Sequence, residues 1–248
     1  MPRSILLGLM APVLATGTML LSAAGSSSPE MSPSEMSPSE ALFRLKRGNE
    51  RFWVNKVKSP HQDAGRRFEV SVGGQHPFAT VITCSDSRVP VEILFDQGIG
   101  DIFVIRVAGN VCGTDEIGSI EYGVDHLATP VLVVLGHSQC GAVTDVAKGE
   151  KVEGNLPALT EKIIPAVNRA RQMHPNLEGE AFITEAIREN VWKGIEDLLS
   201  HSDVTRKRVR GGKLKIIGAF YDIQSGQVEW LGEHPRQAAL MREPLMRA

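Results

Sequence analysis

Two short apolar runs each stop at a residue able to bind a soft metal, and that pairing limits the fold more than any other feature of the chain. Residues 78–83 lead into Cys84-Ser85-Asp86-Ser87-Arg88, and residues 131–135 lead into Gly136-His137-Ser138-Gln139-Cys140-Gly141. Both runs are too short and too β-branched to be helices of their own, and they read as buried, parallel strands. In an open α/β sheet, ligands collect at the C-terminal ends of the strands. Cys84, His137 and Cys140 therefore converge on one sheet edge. They supply three of the four donors of a tetrahedral zinc site.

Length and composition bound the alternatives. A chain of 248 residues suits one domain with a full core. A net charge of -2 gives no electrostatic case for nucleic acid or an anionic membrane surface as partner. Three cysteines cannot build a disulfide framework, so the rival to metal binding is a single Cys84–Cys140 disulfide. Cys112 sits in a Gly-containing loop with no ligand at conventional spacing and reads as a spectator.

Taken in order, the chain starts with Arg3 and an apolar run over 5–21, followed by Ser22-Ala23-Ala24. That pattern predicts a cleaved signal peptide over 1–24 and an exported protein, in the periplasm, the thylakoid lumen or outside the cell. Residues 25–37 form a Ser/Pro/Glu-rich spacer with a tandem Met-Ser-Pro-Ser-Glu, expected to be disordered. Ser37, Pro38 and Glu40 make a capping box, so the folded domain begins at 38 with a helix to about Trp53 and extends to 235. A tail over 236–248 carries little signal. Strands are expected at 78–83, 101–107, 131–135 and 214–221. A turn at Ser225-Gly226 leads into an antiparallel edge strand at 228–230. Helices are expected at 114–127 (capped by Thr114), 138–147, 159–173 and 182–199, with a short helix or turn at 89–95. The basic stretch 206–212 reads as a solvated loop. The fold class is thus α/β: a mostly parallel sheet, four parallel strands plus an antiparallel edge strand, flanked by helices, with an N-terminal helical arm.

The chemistry turns on the fourth metal position. Asp86, two residues past Cys84, can bind the metal directly, and Arg88 can hold Asp86 away through a bidentate ion pair. These states exclude each other. With Asp86 on the metal the site is closed; with Asp86 on Arg88 it is open to water.

These residues resemble the β-class carbonic anhydrases. The likeness rests on Cys84-Ser85-Asp86-Ser87-Arg88 with His137-Ser138-Gln139-Cys140-Gly141. It extends from Ala41 to Trp230 through Gly48-Asn49-Glu50-Arg51-Phe52, Arg106-Val107-Ala108-Gly109-Asn110 and the hairpin at Tyr221 to Gly226. The resemblance implies one zinc ion per subunit on Cys84, His137 and Cys140, with Asp86 joining them only in the closed state, and Asp86 and Arg88 as the catalytic dyad. It implies zinc-dependent, reversible hydration of carbon dioxide to bicarbonate and a proton by attack of zinc-bound hydroxide. It also implies substrate contacts from Gln75, Phe103, Tyr122 and the Gly141 N–H, in a pocket at a homodimer interface, with dimers able to pair into tetramers and helix 38–53 as the embracing arm. A subset of the family has tryptophan three residues before the first zinc cysteine, part of a non-catalytic bicarbonate site that favours closure. This chain has Val81 there, although Arg106 matches that subset's arginine, so an open site at neutral pH is implied. The same scaffold could instead hydrolyse carbonyl sulfide or carbon disulfide, or hold a purely structural zinc.

Overall fold

The computed structural model describes residues 36–246, so the expected signal peptide and nearly all of the expected spacer lie outside the described residues. Five strands, β1 (Ala79–Thr83), β2 (Ile102–Arg106), β3 (Val131–His137), β4 (Lys215–Tyr221) and β5 (Val228–Gly232), form one sheet in the order β2-β1-β3-β4-β5. Pairs β1–β2, β1–β3 and β3–β4 are parallel, and β5 runs antiparallel along β4. This is the expected arrangement of four parallel strands and one antiparallel edge. Strands β1 and β3 are buried along their whole length, which is why they read as unbroken apolar runs. Thr83 pairs with Leu135, so Cys84 and His137 leave neighbouring strands at the same edge.

Side chains alternate between the faces of the sheet. Val81, Val133 and Leu135 point to the face covered by α1 (Pro38–Trp53) and α3 (Val91–Leu94), where they pack with Ala41, Leu45 and Leu94. Ile82, Leu132 and Val134 point the other way, to α4 (Thr114–Glu121) and α8 (Gly179–His201), meeting Ile120, Val191 and Ile195. A third cluster gathers at the C-terminal edge. There α5 (Gly141–Lys148) and α7 (Ile164–Met173) enclose Cys84 and Cys140 with Val143, Ile163 and Phe182.

Helix α1 starts as expected. Ser37 Oγ accepts from Glu40 N at 3.3 Å while Ser37 N donates to Glu40 Oε2 at 2.9 Å. The helix also packs on its own domain. It buries Ala41, Leu45, Gly48 and Asn49 against its own domain. A Cβ at Gly48 would lie 1.7 Å from Phe95 O, so only glycine permits that approach. Asn49 Nδ2 donates to Leu94 O (3.1 Å) and Gly226 O (2.9 Å), and its Oδ1 accepts from Val228 N (2.9 Å). One buried amide thus joins α1, α3 and the β4–β5 hairpin.

Several expected elements differ. A helix absent from the sequence reading, α2 (Ala64–Gly73), is capped by Asp63, whose carboxylate accepts from Arg66 N at 3.0 Å. It buries no residue, so it has no core-facing stripe to detect, and Phe68 and Val72 stand 72% and 75% exposed. Thr114 is the first residue of α4 and not its cap; Gly113 caps, its N–H held by Glu116 Oε2 at 2.8 Å. The expected single helix 114–127 ends in a π turn, Tyr122–His126, closed by Leu127 N donating to Tyr122 O. The expected helix 159–173 divides into α6 (Leu156–Thr160) and α7, with Pro165 at the start of the second. The stretch 206–212 is not a solvated loop. Residues Asp203–Arg210 form α9, capped by Ser202, and buried Arg206 donates to Leu199 O and to Glu243 O (2.6 Å). A short α10 (Gln237–Leu240) buries Leu240. Among the described residues, no helix is long and apolar enough to cross a membrane.

Replacing Asn49 with alanine should lower stability by about 2–4 kcal/mol, because it leaves two buried carbonyls and one N–H without partners. Urea unfolding at fixed protein concentration measures this as a drop in midpoint.

Candidate metal centre

The chemistry of the edge begins with a tautomer. His137 is fully buried at the end of β3, and its Nδ1 lies 2.9 Å from Ser138 O. A carbonyl can only accept, so Nδ1 carries the proton and Nε2 presents its lone pair. Nε2 has no hydrogen-bond partner although it is buried. Such an orphan calls for another kind of partner.

Two sulfurs face it. Cys84 Sγ, Cys140 Sγ and a ring nitrogen of His137 all lie within 4.8 Å of one another, and all three residues are buried. The sulfurs are 4.0 Å apart and both thiols are free, which removes the Cys84–Cys140 disulfide as a description of this pair. Two thiol sulfurs and one unprotonated imidazole form a donor set that zinc prefers. The residues fit the metal.

The protein has arranged the proton inventory for it. A hydrogen bond from Cys140 is the main cause that pulls Cys84 down to about 4. Gly109 N–H, 3.3 Å from Cys84 Sγ, adds to this, aimed by the tight turn at Ala108–Asn110 and braced where Asn190 Nδ2 donates to Gly109 O at 2.6 Å. The same Cys84 contact, then burial, push Cys140 up. The pair therefore shares one proton. Cys140 is the N-cap of α5, one residue before the helix and not in its first turn as the spacing had implied. Burial pushes the Cys112 thiol up as well, and it stands outside the donor group.

Asp86 and Arg88 meet as a fork. Arg88 Nε donates to Asp86 Oδ1 (3.0 Å) and Nη2 to Oδ2 (2.7 Å), and Arg88 N also donates to Oδ1 (2.9 Å). The Arg88 guanidinium holds the Asp86 carboxyl far below the usual carboxylate range. Asp86 Oδ2 remains 3.9 Å from His137 Nε2. The backbone under Asp86 is fixed from β2, where Arg106 donates to Cys84 O (3.1 Å) and Asp86 O (2.6 Å).

The remaining site residues divide. Gly141 opens α5 directly after Cys140 at an exposed position, and nothing lies within 4 Å of where a Cβ would sit. Phe103 pairs with Thr80, three residues or about 10 Å back along β1 from Thr83. Tyr122 packs on Phe103 with ring centroids 5.8 Å apart, and Gln75 precedes β1 on an exposed connection. A single subunit thus gathers Cys84, Asp86, Arg88, His137, Cys140 and Gly141. Gln75, Phe103 and Tyr122 lie toward the other end of the strands. Sequence reasoning missed the bracing by Asn190 and the contacts of Gln139 to Arg88, because an interior helix asparagine and a loop glutamine carry no periodic or motif signal.

With this geometry in hand, comparison with known proteins decides the family. The family model described as carbonic anhydrase matches residues 79–228. The chain belongs to the β-class carbonic anhydrase family. It is 37% identical over 195 residues to carbonic anhydrase 2 of Mycobacterium tuberculosis, covering 77% of this chain and 91% of that one. Among solved structures, it resembles a chain from the work on two tetrameric β-carbonic anhydrases of Sordaria macrospora, with 28% identity, a TM-score of 0.63, and 68% of this chain and 87% of that one covered. It also resembles the Coccomyxa β-carbonic anhydrase in complex with acetazolamide, with 25% identity, a TM-score of 0.63, and 73% and 86% covered.

The lowered pKa of Cys84 fixes a sign. A thiol depressed to about 4 stays ionised throughout the neutral range, so only the Cys140 proton remains to be displaced. Zinc uptake near pH 6, below the range in which a metal-bound water ionises, should therefore release one proton per ion, and affinity there should rise about tenfold per pH unit. Titration of the metal-free protein with zinc against a pH indicator and a competing chelator measures both quantities. Release of two protons would contradict the shared-proton pair.

Proposed function

We propose that this protein is a zinc enzyme that hydrates carbon dioxide reversibly to bicarbonate and a proton. One observation carries the reading: the partnerless Nε2 of His137 faces two cysteine sulfurs, while the nearest carboxylate, Asp86, is held to Arg88. Cys84, His137 and Cys140 would hold the ion. When bound, zinc supplies a Lewis acid that lowers the pKa of a water from about 15.7 toward 7.

The chain's own residues do the rest. Asp86, kept ionised by Arg88, is an acceptor only; it takes a hydrogen bond from the attacking oxygen and aims its lone pair at the carbon. Arg88 prevents Asp86 from taking the fourth position itself. Gly141, exposed as the first residue of α5, offers an N–H to a substrate oxygen. Ser138 O keeps the His137 tautomer, and the apolar cluster around Cys84 and Cys140 limits water at the metal edge.

The substrate pocket is completed by a second copy. Gln75, Phe103 and Tyr122 lie too far along the strands to reach their own subunit's metal edge, which supports a homodimer in which each copy lends them to the other. Helix α2, with Phe68 and Val72 exposed, and the outer face of α1, with Phe43 exposed, offer apolar side chains to that partner. Tetramers built from such dimers are consistent with the tetrameric Sordaria macrospora relatives. The basic start and the apolar run over 5–21 support export to the periplasm or beyond the cell.

Stopped-flow hydration of carbon dioxide, followed with a pH indicator from pH 6.5 to 9, tests the reading. The zinc-loaded protein should be active near pH 7, because the Arg88-paired carboxylate of Asp86 ionises below this whole window. Two thiolates give the metal more charge than imidazoles do, so activity should still rise on the alkaline side. Asp86→Asn and Arg88→Ala should each lower kcat/KM by about a hundredfold. Zinc-loaded protein inactive at every pH would overturn the proposal.

A further inference from the structure

Gln139 sits between two metal ligands, His137 and Cys140, and its backbone is unusual. Its φ is +57°, in the left-handed region where glycine is favoured and a long side chain is strained. The side chain does not simply extend into water. Gln139 Oε1 accepts from Arg88 Nη1 at 3.3 Å, and Gln139 O accepts from Arg88 Nη2 at 3.2 Å.

These contacts nearly complete the donor inventory of Arg88. The guanidinium has five N–H groups in a rigid fork. Two bind the Asp86 carboxylate, and two bind Gln139. Asp86 thus grips one side of the plane and Gln139 the other. The left-handed turn at 139 swings both the carbonyl and the amide oxygen toward the guanidinium. The two metal-binding loops, 84–88 and 137–140, are thereby bridged through one arginine.

We propose that Gln139 is a positioning residue that latches Arg88, and through it keeps Asp86 off the metal and the fourth position exchangeable. This rests on the zinc reading above. Arg106 restrains the Asp86 backbone, so what remains free is the swing of the carboxyl between guanidinium and metal. Without the Gln139 amide oxygen, Arg88 loses one anchor and its side chain gains rotamer freedom. Its hold on Asp86 then weakens, and the closed-to-open ratio rises about fivefold, the scale of one net hydrogen bond. An exchangeable ligand must then compete with Asp86, and its apparent affinity falls by up to the same factor.

The test uses full-length mature protein loaded with cobalt(II), whose visible absorption reports the metal's ligands, and titrates thiocyanate at one fixed pH. Gln139→Met keeps the length of the side chain but removes the acceptor. It should raise about fivefold the share of metal that carries the Asp86 carboxylate in the ligand-free visible spectrum, and should weaken thiocyanate binding by up to the same factor. Gln139→Gly relieves the strained φ and removes the same acceptor, so it should weaken binding alike; it also provides a folded variant if the methionine protein is unstable. The deciding comparison is a double-mutant cycle with Asp86→Asn. Asparagine is neutral and competes poorly for the metal, so Gln139→Met should have no effect in that background. An equal change in both backgrounds would make Gln139 merely structural, and no change of the ligand-free spectrum or of affinity in the Asp86 background would show that the latch does not act. Either result overturns the inference. Failure of the enzymatic proposal would look different: no carbon dioxide hydration by the zinc protein, with the thiocyanate cycle intact.

Discussion

The structure depends on one unpaid atom. His137 Nε2 is buried, unprotonated and without a hydrogen-bond partner, a state that costs about 1–3 kcal/mol where nothing else compensates. The cost is imposed by the fold: β3 is a central strand, its last residue is buried, and Ser138 O fixes the proton on the far side of the ring. The same strand-end geometry places Cys84 beside it from β1 and Cys140 at the start of α5. The destabilisation and the function share a cause, because the lone pair that lacks a partner is the one a soft metal would use.

Around this atom the chain separates two tasks. Gly109 N–H and the Cys140 thiol favour a thiolate on Cys84, which readies the donor set. Arg88, itself contacted by Gln139, meanwhile holds the nearby carboxylate of Asp86, while Arg106 holds the Asp86 backbone. A structural zinc site has no use for the second arrangement, since four fixed ligands would serve it better. The two tasks use different elements, so the donors are carried by strand ends while the restraint is carried by loops and the end of β2. The apolar packing of Val143, Ile163 and Phe182 keeps both sets of elements in register.

The parts that were legible in the sequence are those with a strong local signature. Strands β1 and β3 could be read because burial on both faces demands continuous apolar runs, and α1 because Ser37 and Glu40 form a reciprocal cap. The metal donors followed from their positions at strand ends. What escaped has the opposite character. Helix α2 buries nothing, so its apolar residues follow no core-facing stripe. Stretch 206–212 looked like a charged loop, yet Arg206 is buried by main-chain acceptors far away in sequence, at Leu199 and Glu243. Phe103 and Tyr122 were named from the family likeness, but only the β1–β2 register shows that they lie away from their own metal edge. Long-range pairings of this kind leave no mark in local composition.

The central claim is that Cys84, His137 and Cys140 hold one zinc ion while Asp86 leaves the fourth position to solvent. X-ray absorption at the zinc edge tests the donor set most directly, on wild type and on Cys112→Ala, Cys84→Ser and Asp86→Asn. The account predicts two sulfurs at about 2.3 Å and two lighter ligands at about 2.0–2.1 Å, unchanged by Cys112→Ala and by Asp86→Asn, and losing one sulfur in Cys84→Ser. A third sulfur, or a light-atom shell that loses a ligand in Asp86→Asn, would contradict it.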